Sequence, residues 1–409
     1  MSKLEELIEQ YCPDGVECMR LGDFATQWYR GAGIKKDEIG QEGIPCIRYG
    51  EIHTIYKIWF DKCVSHTDET KQPSKKYADY GDILFAITSE DIPFIGNSVA
   101  YMGKERIMVG GDIVVMKHTQ NPKYISYALS TMDAIKQKGK GKVKSKVVHT
   151  SVPSLQQIVI PVPPLPVQEE IVRILDTFTE LQAELQAELQ KRQQQYNFYR
   201  DNLLNFNRGG QEIKWMKMSD VFEIRNGYTP SKANNDFWEG GTIPWFRMED
   251  IRQNGRILSD SISHITPKGV KGKGLFSANS FIIATTATIG EHALLIADSL
   301  ANQQFTNLKI RKSLEKELSI KFFYYYLFII DEWCKSNINL SNFASVDMVK
   351  FNNLRIPIPP LEEQNRIVAI LDRFDTLTND LTSGLPAEME KRRQQYEYYR
   401  DRLLTFKRL

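Results

Sequence analysis

At 409 residues the chain has room for two domains with separate hydrophobic cores. With 42% hydrophobic and 25% charged residues and a net charge of +2, it is not a wholly basic nucleic-acid coat, although local basic faces stay open to it. No stretch approaches the ~18 uninterrupted apolar residues of a membrane span, and Met1-Ser-Lys-Leu-Glu-Glu6 has no signal-peptide pattern. The five cysteines are odd in number and lack metal-site spacing, so reduced thiols in a cytoplasm are expected.

In chain order, Gly43-Ile-Pro-Cys-Ile-Arg48 and Asp82-Ile-Leu-Phe-Ala86 read as short strands bounded by turns. Asn121-Pro122 reads as a turn that opens a buried helix at Lys123. From Lys136 to Lys146 every second residue is lysine (136, 138, 140, 142, 144 and 146), with Gly139 and Gly141 between. Such like charges repel, so a loosened loop suited to phosphate contact is expected at Lys136, Lys138, Lys140, Lys142, Lys144 and Lys146. A plain solvated loop is the alternative.

Prolines 161, 163, 164 and 166 hold the chain extended and permit a helix to follow. Glu169 and Glu170 are expected in its first turn, where negative charge complements the helix dipole. Apolar residues then recur in steps of three and four: Ile171, Leu175, Phe178, Leu181, Leu185, Leu189, Tyr196, Tyr199, Leu203 and Phe206. The spacing predicts a helix of about 40 residues with a coiled-coil-type seam. Inside it, Leu181-Gln-Ala-Glu is followed at once by Leu185-Gln-Ala-Glu. One such tetrad is worth about 6 Å of helix, a ready length adjuster.

The second half repeats the first. Thr242-Ile-Pro-Trp-Phe-Arg247, Ser280-Phe-Ile-Ile-Ala284 and Lys321-Phe-Phe-Tyr-Tyr-Tyr-Leu327 match the two strands and the buried helix. Ile160-Pro-Val-Pro-Pro-Leu-Pro-Val-Gln168 returns as Ile356-Pro-Ile-Pro-Pro-Leu-Glu-Glu-Gln364, and Ile171-Val-Arg-Ile-Leu-Asp176 as Ile367-Val-Ala-Ile-Leu-Asp372. Lys191-Arg-Gln-Gln-Gln-Tyr196 with Tyr199-Arg-Asp201 returns as Lys391-Arg-Arg-Gln-Gln-Tyr396 with Tyr399-Arg-Asp401. The second seam is about one turn longer, and Gly384 and Pro386 weaken or kink it. A repeat this long means two whole domains. The expected fold is α+β. Two repeated mixed α/β domains (1–165 and 208–360) are separated by two long helices (166–207 and 361–409), which form an antiparallel coiled coil with pseudo-two-fold symmetry.

Catalytic patterns fail by absence. Gly269 to Gly274 has glycine spacing, but Leu275 follows where a phosphate-binding loop needs lysine. Asn121-Pro-Lys-Tyr124 departs from the Asn-Pro-Pro-Tyr loop of amino-methyltransferases at Lys123, and Glu212-Ile-Lys214 is a triplet common by chance. The six histidines have no ligand spacing.

The ordered duplication of the Ile-Pro-x-Pro-Pro-Leu-x-x-Gln boxes, the Ile-Val-x-Ile-Leu-Asp helices, the Lys-Arg-x-Gln-Gln-Tyr tails and the Ile-Pro-x-x-Arg strands resembles the specificity subunit of type I restriction–modification systems. The likeness covers essentially the whole chain. It implies a non-catalytic subunit that reads a two-part sequence in double-stranded DNA, each globular domain being a target-recognition domain for one half. It also implies docking of two methyltransferase (M) subunits, with motor–nuclease (R) subunits joining through the complex. S-adenosylmethionine, ATP and Mg2+ are then expected on those partners, with no cofactor, metal or membrane for this chain. Two other functions stay open: a self-sufficient DNA methyltransferase or nuclease, and a coiled-coil assembly protein.

Base readers are sought among arginine, lysine, amides and hydroxyls on turns after short strands, since arginine and lysine suit guanine and amides suit adenine. The first half offers Tyr29, Arg30, Lys35, Lys36, Arg48, Thr88 and Ser89. The second offers Arg225, Asn226, Tyr228, Ser231, Lys232, Arg247, Thr285, Thr286, Gln303 and Gln304. A second basic cluster, Lys268, Lys271 and Lys273, stands beside Gly269, Gly272 and Gly274. Arg48 and Arg247 occur in both copies, which fits either phosphate contact or a buried ion pair with Glu51 and Asp250 three positions on. Phe198 and Tyr398 are either docking surface for partner subunits or part of the coil's own packing.

Overall fold

The computed structural model describes residues 2–140, 147–206, 213–339, 344–379 and 383–409. The chain forms two compact units, Met1–Gln186 with Glu388–Leu409, and Ala187–Ala387. The halves of the sequence are therefore interleaved: each unit takes in the end of the other repeat's helical segment.

Each unit is built on a five-stranded sheet. In the first unit the strands are β1 (Ala25–Arg30), β2 (Trp59–Phe60), β3 (Ile83–Ala86), β4 (Ser98–Tyr101) and β5 (Ile113–His118), in the order β1-β5-β3-β4-β2. In the second they are β6 (Phe222–Asn226), β7 (Ile257–Leu258), β8 (Ser280–Ala284), β9 (His292–Leu295) and β10 (Phe305–Ile310), in the order β6-β10-β8-β9-β7. The orders are the same, and in both only the last pair is parallel. The central strands read as unbroken apolar runs because both of their faces are covered. Ile83 and Phe85 point into one core and Leu84 and Ala86 into another; Phe281 and Ile283, then Ile282 and Ala284, divide the same way.

The second core lies against another sheet, five-stranded in the first unit and three-stranded in the second. Ile44–Ile47 runs parallel to Ile107–Val109 and antiparallel to Ser65–Thr67. Ile243–Phe246 runs parallel to Leu300–Ala301 and antiparallel to His264–Ile265. These are the Ile-Pro strands found by sequence.

The first core is closed by helices: α1 (Pro122–Leu129) and the start of α3 (Leu165–Leu203) in one unit, with α2 (Met132–Gly139) between them in the chain, and α4 (Ile320–Ser336) and α5 (Leu361–Asn379) in the other. Asn121 caps α1 through its side chain, which accepts the Tyr124 N–H. The second long helix is interrupted as its composition implied. The chain turns at Ser383 and Gly384 and is helical again as α6 (Leu385–Leu403), with Pro386 in the first turn, where a missing N–H costs nothing. The first long helix starts one residue earlier than expected, at Leu165, and Glu169 and Glu170 fall beyond its first turn; the second starts at Leu361 as expected, with Glu362 and Glu363 in its first turn.

The duplicated boxes are joints between helix and globular core. Gln168 is fully buried; its amide oxygen accepts the Asn121 N–H at 3.0 Å, and its amide nitrogen donates to Pro163 O at 2.7 Å and Gln120 Oε1 at 2.8 Å. Gln364 repeats this with the Ser319 N–H (2.8 Å), Pro359 O (2.8 Å) and Glu317 O (3.0 Å). About two turns further, Asp176 accepts from Lys123 (2.6 Å) and the Tyr127 hydroxyl (2.8 Å), and Asp372 from Lys321 and Tyr325 (both 2.6 Å).

Within the first unit the start of α3 meets the end of α6, where Phe178 stacks on Tyr399 with ring centroids 5.4 Å apart. Within the second the end of α3 meets α5, where Tyr199 stacks on Phe374, also at 5.4 Å. Beginning against end in both units is the antiparallel pairing the seams implied.

Gln364→Leu takes the partner from the buried Pro359 carbonyl and from the partly buried Ser319 N–H and Glu317 carbonyl, so the second unit should lose about 3 kcal/mol. Hydrogen-exchange protection of α4 reports this. The exposed change Glu362→Gln should stay within about 0.5 kcal/mol of wild type.

Candidate nucleic-acid interface

One corner of each unit is wired identically. Where β1 and β6 end, Gly31 donates its N–H to Ile113 O (2.9 Å) and Gly227 to Phe305 O (2.8 Å). The next N–H, of Ala32 or Tyr228, reaches Val109 O or Ala301 O at 2.9 Å. Gly110 N–H donates to Ile47 O (2.9 Å), and Asn302 N–H to Phe246 O (3.0 Å). A β-carbon at Gly31 would collide with the carbonyls of Val109 and Gly110, and one at Gly227 with those of Ala301 and Asn302. Only glycine passes there. Position by position, Arg30 corresponds to Asn226, Arg48 to Arg247, Gly111 to Gln303 and Asp112 to Gln304.

In the first unit this corner surrounds a cleft of about 440 Å³, lined by Arg30, Gly31, Gly33, Arg48, Tyr49, Gly110, Gly111 and Asp112 among others. Arg30 is held by Gly111 O and by Asp112 Oδ1 at 2.8 Å. The Arg48 guanidinium has no hydrogen bond or ion pair among the described residues. The alternative of an Arg48–Glu51 ion pair is overturned: Glu51 accepts the backbone N–H of Arg48 at 2.8 Å and the Ser65 hydroxyl, capping the short helix Tyr49–Thr54. Asp250 does the same, accepting the Arg247 N–H at 2.6 Å and the Ile262 N–H at 2.7 Å. The Arg247 side chain instead reaches Glu249 at 3.1 Å.

Most second-half candidates gather at the corresponding corner. Asn226 accepts from Thr306 (3.0 Å), exposed Gln303 accepts from the Thr229 hydroxyl (2.5 Å), and Gln304 accepts from the Asn302 amide (3.0 Å). The Tyr228 hydroxyl accepts the Lys271 N–H (2.7 Å) and donates to Gly269 O (3.3 Å), with the Lys271 ammonium 4.8 Å from its ring. Arg225 is pinned to Lys273 O (2.5 Å) and Leu275 O and lies over the Phe276 ring, and partial burial lowers its pKa. It braces the glycine–lysine loop from behind. Lys273 is exposed, Lys268 pairs with Asp236 at 2.9 Å, and Ser231 and Lys232 lie exposed on the adjoining turn.

Other candidates lie elsewhere. The Tyr29 hydroxyl is spent on Tyr77 O (2.5 Å), and burial pushes its pKa up to about 12. Thr88 and Ser89 are buried in a two-stranded ribbon with Val148–His149. Thr285 is buried with its hydroxyl 2.8 Å from that of Thr306, and Thr286 bridges to Ser345. Lys35 and Lys36 are exposed on the turn beyond Ile34.

The lysine loop needs a correction. Lys136 and Lys138 belong to α2, not to a loop, and Lys138 is buried, donating to Leu129 O at 2.9 Å. Loss of water holds its pKa down to about 7. Lys136 and Lys140 are exposed, and Lys142, Lys144 and Lys146 lie outside the described residues. Sequence reasoning missed Gly33, Tyr49, Gly110, Gly111 and Asp112; the Gly110-Gly111 pair before an apolar run was the available signal.

The family model for the type I restriction modification DNA specificity domain matches twice, over residues 13–192 and 211–391. The chain belongs to that family. The EcoprrI type I restriction enzyme specificity subunit of Escherichia coli is 51% identical over 205 residues, 48% of this chain and 51% of that subunit, so the match spans about half its length. The EcoR124I/EcoR124II specificity subunit of Escherichia coli is 38% identical over 301 residues, 69% of this chain and 70% of that one. A chain in a structure of type I R-M complex assembly and conformational transition shares the fold, with a TM-score of 0.65 at 18% identity over 96% of this chain and 98% of that one. The resemblance read from the duplicated boxes is thus borne out, and nothing among these relatives supports the methyltransferase, nuclease or assembly-protein alternatives. Among the described residues of this member of the family, no cluster of histidine, cysteine and carboxylate could hold a metal ion, and no helix is long and apolar enough to cross a membrane. Phe198 and Tyr398 are 65% and 60% exposed.

Lys138 yields a pH signature. Folded, it titrates near 7; unfolded, near the usual ~10.4. Between these the unfolded chain binds the extra proton, so stability rises with pH across that window. Lys138→Met removes this dependence. Its stability relative to wild type should therefore fall from pH 7 to pH 9.5, as read from urea midpoints.

Proposed function

We propose that this chain is the non-catalytic DNA-reading scaffold of a cytoplasmic type I restriction–modification complex. The observation that carries the reading is one specificity fold occurring twice, with the same glycine-turned corner and different side chains at each. Each unit reads one half of a bipartite site in double-stranded DNA. The long helices set the unread spacer and, through exposed edges such as Phe198 and Tyr398, dock two methyltransferase subunits. Methylation by S-adenosylmethionine belongs to those subunits, which extrude the target base from the duplex. ATP- and Mg2+-dependent cleavage belongs to motor–nuclease partners. Arginine and lysine around the first corner suit guanine, and the amides of the second suit adenine. Lys268, Lys271 and Lys273 suit phosphate.

The tandem Leu181-Gln-Ala-Glu tetrads supply the test. One added tetrad lengthens α3 by about 6 Å, so the spacer should grow by at most about two base pairs at 3.4 Å each. Methylome sequencing of a host carrying the variant with its partners should show unchanged half-sites around a longer spacer. Altered half-sites around an unchanged spacer would refute the ruler.

A further inference from the structure

We infer that Arg48 and Arg247 are the phosphate anchors of the two DNA-reading units, and that the neighbouring corner positions, Arg30 with Asp112 and Asn226 with Gln303, discriminate bases. The inference deepens the proposed function and rests on it. At this corner the backbone wiring is shared while most side chains are not: arginine faces asparagine, glycine faces glutamine and aspartate faces glutamine at corresponding positions. Arg48 and Arg247 are the exception. Two domains that read different half-sites have one thing in common on the DNA, the sugar–phosphate backbone. A side chain kept in both units while its neighbours change matches the part of the ligand that does not change.

The local chemistry agrees. An acidic residue three positions after each arginine would ordinarily neutralise it, but Glu51 and Asp250 are spent on backbone N–H groups and on the following strand segment. Each carboxylate fixes where its arginine leaves the chain and leaves the guanidinium charge to something else. Arg48 has no partner among the described residues and faces the cleft that Gly31, Gly110 and Gly111 line without side chains, Arg30, Tyr49 and Asp112 standing at its walls. Arg247 makes an ion pair with Glu249 that is half open to water, the kind that a phosphate readily replaces. Arg30 differs: Gly111 O and Asp112 hold its guanidinium plane in one orientation, as a geometric reader requires.

The test uses the full chain assembled with its methylating subunits. Binding to a duplex carrying the methylome-defined site and to an unrelated duplex is measured across salt concentrations. Arg48→Ala and Arg247→Ala should weaken both duplexes by the same factor, about three- to tenfold, and reduce the slope of log affinity against log salt by roughly one. The methylated sequence should not change. Arg48→Lys and Arg247→Lys, which keep the charge and the fold, should restore most of the binding, because phosphate accepts a point charge and a bidentate base contact does not. Asn226→Ala and Gln303→Ala should leave the unrelated duplex and the salt slope unchanged and relax one half-site. The inference is overturned if the lysine variants fail on the specific duplex alone, or if any variant at Arg48 or Arg247 alters the methylated half-site. A wild-type complex that methylates no bipartite sequence would instead overturn the underlying function.

Discussion

The constraint on which each unit depends is a buried glutamine amide. Where the proline-rich turn enters the long helix, carbonyls are left inside the protein with no water to satisfy them, and proline has no N–H to offer in exchange. Gln168 and Gln364 meet those carbonyls and a backbone N–H together, from inside the core. Asp176 and Asp372 add a second clasp about two turns on, each taking a lysine and a buried tyrosine from the helix packed beneath. Helix and sheet thus move as one body in each unit. The duplicated sequence boxes mark this joint, and they are joinery shared by both repeats, so no sequence preference resides there.

From the joint the logic runs outward. The helix positions α1 or α4, that helix covers one face of the five-stranded sheet, and the other face builds the second core against the Ile-Pro strands. The strand ends then set the corner, where Gly31 and Gly227 let two stretches of backbone pass closer than any side chain allows. A frame this tightly specified can accept different side chains at its rim without shifting. Such separation of frame from rim is what two readers of different sequences require.

Much of this was legible in the residues. Asp82-Ile-Leu-Phe-Ala and Ser280-Phe-Ile-Ile-Ala announce strands buried on both faces because nothing polar interrupts them, and the seams announce the helix pair because apolar spacing survives over some 40 positions. The break at Gly384 and Pro386 was equally plain. The corner was not, since Gly110-Gly-Asp and Asn302-Gln-Gln share no residue and become equivalent only through backbone hydrogen bonds between distant segments. Lys138 misled for a different reason: alternating lysines imply repulsion and exposure, yet α2 continues through them and turns one inward, where the Leu129 carbonyl receives it. Tyr29, Thr88 and Thr285 looked like loop polars, but the first two are strand residues and the third directly follows a strand, and their hydroxyls are taken by neighbouring groups.

The central claim, that each unit reads its own half of the DNA site through a self-contained frame, is tested most directly by exchanging residues 222–310 for the corresponding segment of another family member, leaving both Ile-Pro-x-Pro-Pro boxes and all helices α3, α5 and α6 in place. Methylome sequencing of the chimera with its partners should show one half-site replaced by the donor's, and the other half-site and the spacer unchanged. Alteration of both half-sites, or of the spacer, would contradict the account.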